Sequence, residues 1–156
     1  MRGLNLSITG QVTVTVTDAQ GNVVSQGTKR NQVTNYAANA VAQWLCGVNN
    51  TGYNPTLPPQ YMELGTGSGT PSATDTNLFT PVSATNQHVS SAQVPSGSPN
   101  VAQFTAQYFG TANNAGSYTE AGLFDANGNL FAHLMDAITI TQGLSTTLAW
   151  TITVTV

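Results

Sequence analysis

Gly65-Thr-Gly-Ser-Gly-Thr70 is the first stretch whose residue types could do chemistry. Three glycines with hydroxyls between them are the makings of a loop whose backbone amides cradle a phosphate. A Walker loop closes on Gly-Lys-Ser/Thr, and a dinucleotide-binding turn opens a helix. Here Pro71 and a polar stretch follow, so the residues predict a tight loop using glycine for positive φ instead. The nucleophile elbow Gly-x-Ser-x-Gly is also missing, because position 66 is Thr. Asp125-Ala-Asn-Gly-Asn129 offers side-chain oxygens at alternate positions, as the opening of a calcium loop does. An EF-hand would need flanking helices and a Glu where Asp136 stands among strand residues, so a hairpin turn is the better reading.

The nucleophilic candidates are equally bare of context. His88 and His133 lie far apart with no His or Cys at ligand spacing, and Cys46 is the only thiol. That excludes an intrachain disulfide and a cysteine-pair metal site, and Cys46 reads as a small buried hydrophobe in an apolar helical pattern. The acids are too scattered for paired-carboxylate chemistry. Glu120 stands out among them. It heads an apolar strand between Thr119 and Ala121, where a carboxylate can accept backbone amides from a neighbouring loop, a structural role. Lys29 and Arg30, the one adjacent basic pair, are in reach of Glu120, Asp125 or an acidic patch on a partner, or cap a solvated hairpin end. Asn49-Asn-Thr51 matches a glycosylation acceptor, but Met1-Arg-Gly-Leu-Asn-Leu runs into strand alternation with no signal peptide. The residues therefore assign no catalytic, cofactor-binding or metal-ligating position, and expect a chain made in the cytoplasm that is not an enzyme and takes no cofactor.

The whole chain is as uncharged as its candidate sites. Its 156 residues fit one domain spanning 1–156, and 6% of them are charged, against roughly 25% in an average soluble domain. Three basic residues and a net charge of −3 cannot neutralise a phosphate track, which argues against nucleic acid. No apolar run reaches membrane-spanning length, so no membrane association is expected. Thr, Ser, Asn, Gln and Gly replace the charges. So little charge implies a surface covered by partners.

The elements are strands with one exception. Leu6–Thr17 places Val12, Val14 and Val16 on one face and Thr13, Thr15 and Thr17 on the other. Asp18-Ala-Gln-Gly-Asn22 turns the chain, with Gly left-handed, and Val23–Thr28 returns; Asp125–Asn129 repeats that grammar. Over Val33–Leu45 the spacing becomes helical, with Val33, Ala37, Ala40, Val41, Trp44 and Leu45 on one face, Thr34 or Asn31 as cap and Gly47 as stop. Val48–Pro59 is loop and Gln60–Leu64 a short strand. Ser83–Gln93 is an edge strand and Val101–Phe109 a full one. The closing block supplies Glu120–Phe124, Leu130–Met135, Ala137–Thr141 and Thr146–Val156, the last with Leu148, Trp150, Ile152, Val154 and Val156 pointing one way. A strand this strong belongs in mid-sheet or against another subunit. Roughly eight short strands and one helix near residues 33–46 predict an all-β antiparallel sandwich, jelly-roll or Greek-key in type.

Four segments together carry a resemblance: Asn31-Gln-Val-Thr-Asn35 before the helix; Tyr61-Met-Glu-Leu-Gly-Thr-Gly-Ser-Gly-Thr-Pro-Ser-Ala-Thr-Asp-Thr-Asn-Leu78; Tyr118-Thr-Glu-Ala-Gly-Leu-Phe124; and Leu148-Ala-Trp-Thr-Ile152. The chain resembles small virion structural proteins of tailed bacteriophages. In that group a basic residue often follows the Leu-Phe-Ala step, and His133 occupies that position here. The resemblance implies a virion part with no catalytic residues. The first reading is a capsid decoration (cement) protein, a homotrimer that binds the major capsid protein and stabilises the shell. Strands Val12–Thr17 and Thr151–Val156 would then add across subunits. The second is a tail, baseplate or fibre-adaptor protein, and the third a carbohydrate-binding module, supported only by loop aromatics such as Tyr53 and Tyr118.

Overall fold

The computed structural model describes residues 7–46 and 58–155, with the backbone alone at 45 and 46. Leu6, Gly47, the loop from Val48 to Leu57 with Asn49–Thr51 and Tyr53, Val156, and the side chains of Leu45 and Cys46 lie outside the described residues. Strands β1 (Ser7–Thr17) and β2 (Val23–Val33) form a hairpin, and α1 (Asn35–Cys46) follows at once. Then come β3 (Tyr61–Gly65), a 3₁₀ turn (Ser83–Thr85), β4 (Gln87–His88), β5 (Ser91–Gln93), β6 (Val101–Phe109), β7 (Gly116–Phe124), β8 (Leu130–Ile140) and β9 (Ser145–Thr155). All pairings are antiparallel, and the nine strands form one continuous sheet in the order β4-β3-β7-β8-β2-β1-β9-β6-β5.

The all-β antiparallel expectation holds. The sheet curls so that its two halves bury a common core. One half (β1, β9, β6) contributes Val12, Leu148, Trp150, Phe104, Ala106 and Tyr108; the other (β3, β7, β8) contributes Met62, Leu64, Ala121, Leu123, Leu134 and Ile138. The join is narrow: β2 lies along β1 from Val23 to Asn31 but meets β8 only at Gln32 and Val33. Across the core, the Tyr108 hydroxyl donates to the Met62 carbonyl at 3.0 Å, fastening one half to the other.

Several boundaries differ from the sequence reading for identifiable reasons. The helix begins at Asn35 because Val33 completes β2, pairing with Ala132. Of the two expected caps, Thr34 serves: its Oγ1 accepts from the Ala37 amide and donates to the Leu130 carbonyl at 2.6 Å. Asn31 sits within β2 opposite Gly10, its buried carboxamide without a hydrogen-bond partner. Ala37 and Ala40 enter the core, while Trp44 stays 41% exposed and stacks on Phe131. The two strands expected on either side of Asp136 are one, β8. The single edge strand expected over Ser83–Gln93 is two short ones at opposite edges, so this segment crosses from one half of the sheet to the other.

The last strand lies in mid-sheet, flanked by β1 and β6, and β1 is flanked by β2 and β9. Their backbone hydrogen bonds are spent inside the chain, so the expected addition of Val12–Thr17 and Thr151–Thr155 across subunits is corrected.

Candidate functional site: a caged carboxylate

The outer face of the β3-β7-β8 half carries the buried pair Glu120 and His133. Strand register puts Glu120 of β7 beside Gly65 of β3 and His133 of β8 beside Gly122, and directly opposed residues share a face. The 66–82 loop folds back over this face, pinned where the Thr66 amide donates to the Thr80 carbonyl and the Val82 amide to the Leu64 carbonyl, both at 2.9 Å. Glu120 is fully buried beneath it. Its Oε1 accepts the Gly67 amide at 2.9 Å and the Thr80 amide at 2.8 Å; its Oε2 accepts the Phe79 amide at 2.9 Å. His133 Nε2 lies 2.9 Å from Oε2, and its Nδ1 lies 2.8 Å from Asp75 Oδ2. The Phe79 ring covers the imidazole, centroids 4.8 Å apart.

The arrangement rewrites the reading of the glycine loop. Gly65 and Gly67 do not have positive φ. They are small because a Cβ at Gly65 would come within 2.4 Å of Glu120 Oε1, and one at Gly67 within 2.6 Å of it. The loop does cradle an anion with its amides, as its composition hinted. The anion is the protein's own carboxylate.

Burial opposes charge on Glu120, but the Thr80 and Phe79 amides, the His133 ring and the Gly67 amide outweigh it and hold the carboxyl below its ordinary range. The imidazole thus bridges two carboxylates, one at each ring nitrogen. Both ring nitrogens of His133 and both oxygens of Glu120 are engaged within the protein, and the constellation holds the loop down. Among the described residues, no group of three His, Cys, Asp or Glu is placed to hold a metal ion.

A second buried acid lies on the same half. Asp125 Oδ1 accepts the Asn127 amide at 2.8 Å and the Asn129 amide at 2.9 Å, and its Oδ2 takes the Tyr36 hydroxyl of α1 in a short bond. Burial opposes ionisation here too, and the Asn129 side chain, Tyr36 and the turn amides overcome it, so the carboxyl is lowered. Gly128 has φ 79°, the left-handed turn expected.

Of the residues singled out in the sequence, Glu120 is where its reading placed it, accepting loop amides. His133 joins it, and Asp75, to which the sequence assigns no chemical role, completes the group. The sequence signal for Asp75 was its place in the Asp-Thr-Asn-Leu step, but nothing local ties it to a histidine 58 residues on. His88 lies apart, on edge strand β4 against the Tyr61 ring. Lys29 reaches Asp136 at 3.8 Å, not Glu120 or Asp125. Tyr118 is buried and donates to the Asn114 carbonyl at 2.7 Å, so it is not offered to a sugar.

Compared with known proteins, the chain matches no family model, no curated protein and no solved structure.

Proposed function

We propose that the chain is a structural protein of a tailed-bacteriophage virion, a capsid decoration protein that binds the major capsid protein and stabilises the shell. One observation carries the reading. Three stretches of the resemblance, Leu64-Gly-Thr-Gly67, Asp75-Thr-Asn-Leu78 and Thr119-Glu-Ala-Gly-Leu-Phe124, together with His133 at the basic position, converge on the Glu120 cage. Segments distant in sequence that build one buried unit are features of a fold, and a resemblance resting on them is a resemblance of architecture. Glu120 and His133 at its centre are fully buried and bonded within the protein, which suits a part that packs. In this reading the curled sheet is a β-sandwich, the working form is a trimer, and its role is to add buried area across contacts that the shell makes weakly.

The test is cryo-electron microscopy of the particles encoded with this chain, beside particles from which its gene is deleted. Difference density on the capsid surface, with earlier thermal rupture of the deleted particles, is the expected result. Density on the tail alone makes the chain a tail component and ends the decoration reading. Absence from purified particles ends both.

A further inference from the structure

The two halves of the curled sheet have different outer faces. That of β3-β7-β8 is covered by the 66–82 loop. That of β2-β1-β9-β6 has no cover among the described residues: none of its outward residues is buried, although the same strands contain the fully buried Val12, Leu148 and Trp150. Strand register fixes what this face presents. Thr13 lies beside Ala149 and Thr28, Thr15 beside Thr147 and Gln26, and Gln11 beside Thr151, which in turn lies beside Gln103. The result is a lattice of hydroxyls and amides. Some are already linked, Thr13 to Thr28 at 2.8 Å and Gln26 to Thr15 at 3.0 Å. Arg30, beside Gln11, is the only charged residue on its outward rows, and Phe109 the only aromatic one, at the end of β6.

We propose that this face is the docking surface of the chain, and that its partner is an uncharged, hydroxyl- and amide-lined protein surface on the particle shell. The inference rests on the virion reading and adds the surface through which it works. Four long strands about 4.8 Å apart, each about 30 Å long, present a face of roughly 600 Å², close to the ~800 Å² per partner of a standard interface. One charge excludes a phosphate backbone, whose binding needs many basic contacts. A face with a single aromatic residue, at its corner, offers no platform for a row of sugar rings. Away from Arg30 the partner must be equally uncharged, because a charge brought onto the lattice there would lose its water and find no counter-charge. Hydroxyls and amides both donate and accept, so they pair well with their own kind. The central strands β1 and β9 are flanked on both sides, so contact across them is through side chains and not by strand addition.

The test is co-sedimentation of the purified chain with particles lacking it, at low and high salt. Thr13→Lys and Thr151→Lys place a charge in mid-lattice; Asn113→Lys places the same charge on an exposed loop away from it. Expected are a loss of bound chain of at least tenfold for the two lattice variants, wild-type binding for Asn113→Lys, and little change between the two salt concentrations. Should a lattice variant fold poorly, Thr151→Cys labelled with a bulky maleimide after folding replaces it, with labelled Asn113→Cys as its control. If wild type binds and the lattice variants bind equally well, the face is wrong and the virion reading stands. If wild type does not bind, the virion reading falls and this inference with it. Binding abolished by salt, or lattice variants that lose retention on a neutral polysaccharide while keeping particle binding, would overturn the uncharged protein partner.

Discussion

The pentapeptides Asp18-Ala-Gln-Gly-Asn22 and Asp125-Ala-Asn-Gly-Asn129 fold alike in opposite halves of the sheet. In each, the glycine two residues before the next strand is left-handed, at 84° and 79°. In each, the aspartate Oδ1 accepts the second and fourth following amides, at 2.9 and 2.8 Å in the first turn and 2.8 and 2.9 Å in the second. Their fates diverge. Asp18 sits at the tip of a hairpin in the bare half, in water, with side-chain partners only within its own turn. Asp125 is fully buried and holds the Tyr36 hydroxyl of α1, as Glu120 nearby holds the 66–82 loop. The same local chemistry is a turn in one half and a fastening in the other, and what differs is whether a distant element supplies a donor.

The contrast is sharpest at Glu120. Replacing it with Ala leaves His133 Nε2 and three loop amides without their partner in a buried site, and a broken buried charge network of this kind costs about 3–5 kcal/mol. Chemical denaturation should show that loss, and a variant as stable as wild type would remove the fastening role. Glu120→Gln should recover part of the stability, since it keeps the shape and one acceptor. Asp125→Ala comes next: it removes the acceptor of the Tyr36 hydroxyl and of two turn amides, at about 1–3 kcal/mol, and should loosen α1, seen as faster amide exchange over 35–44.

Acid should act as a milder version of both. Each carboxyl titrates below its ordinary value in the folded chain, so each stabilises the fold fully above the unfolded carboxyl range and loses that contribution as pH falls through the lowered folded value. Melting temperature should fall on acidification, and fall less steeply in Glu120→Gln; parallel curves would contradict the assignment. The smallest effect is expected at Asp18→Ala, which should melt within a degree or two of wild type although it breaks the same turn. A loss matching that of Asp125→Ala would erase the distinction between the halves.

What local sequence determined was what short-range physics decides. Alternation of Val and Thr made β1, the 3.6-residue stripe made α1, and Asp with Gly made both turns. Glu120 was legible as an amide acceptor because a carboxylate heading an apolar strand must find donors. Tertiary structure decided which donors. Asp75, Glu120 and His133 come together because the strand order lays β7 beside β3 and β8 and the loop folds over them, and nothing within ten residues of any of the three encodes that meeting. It also decided that Gly65 and Gly67 serve closeness and not positive φ, that β9 is interior, and that one Thr-rich face stays open while the opposite face is sealed. Periodicity says that a strand has two faces. Which face gains a cover depends on where the rest of the chain runs.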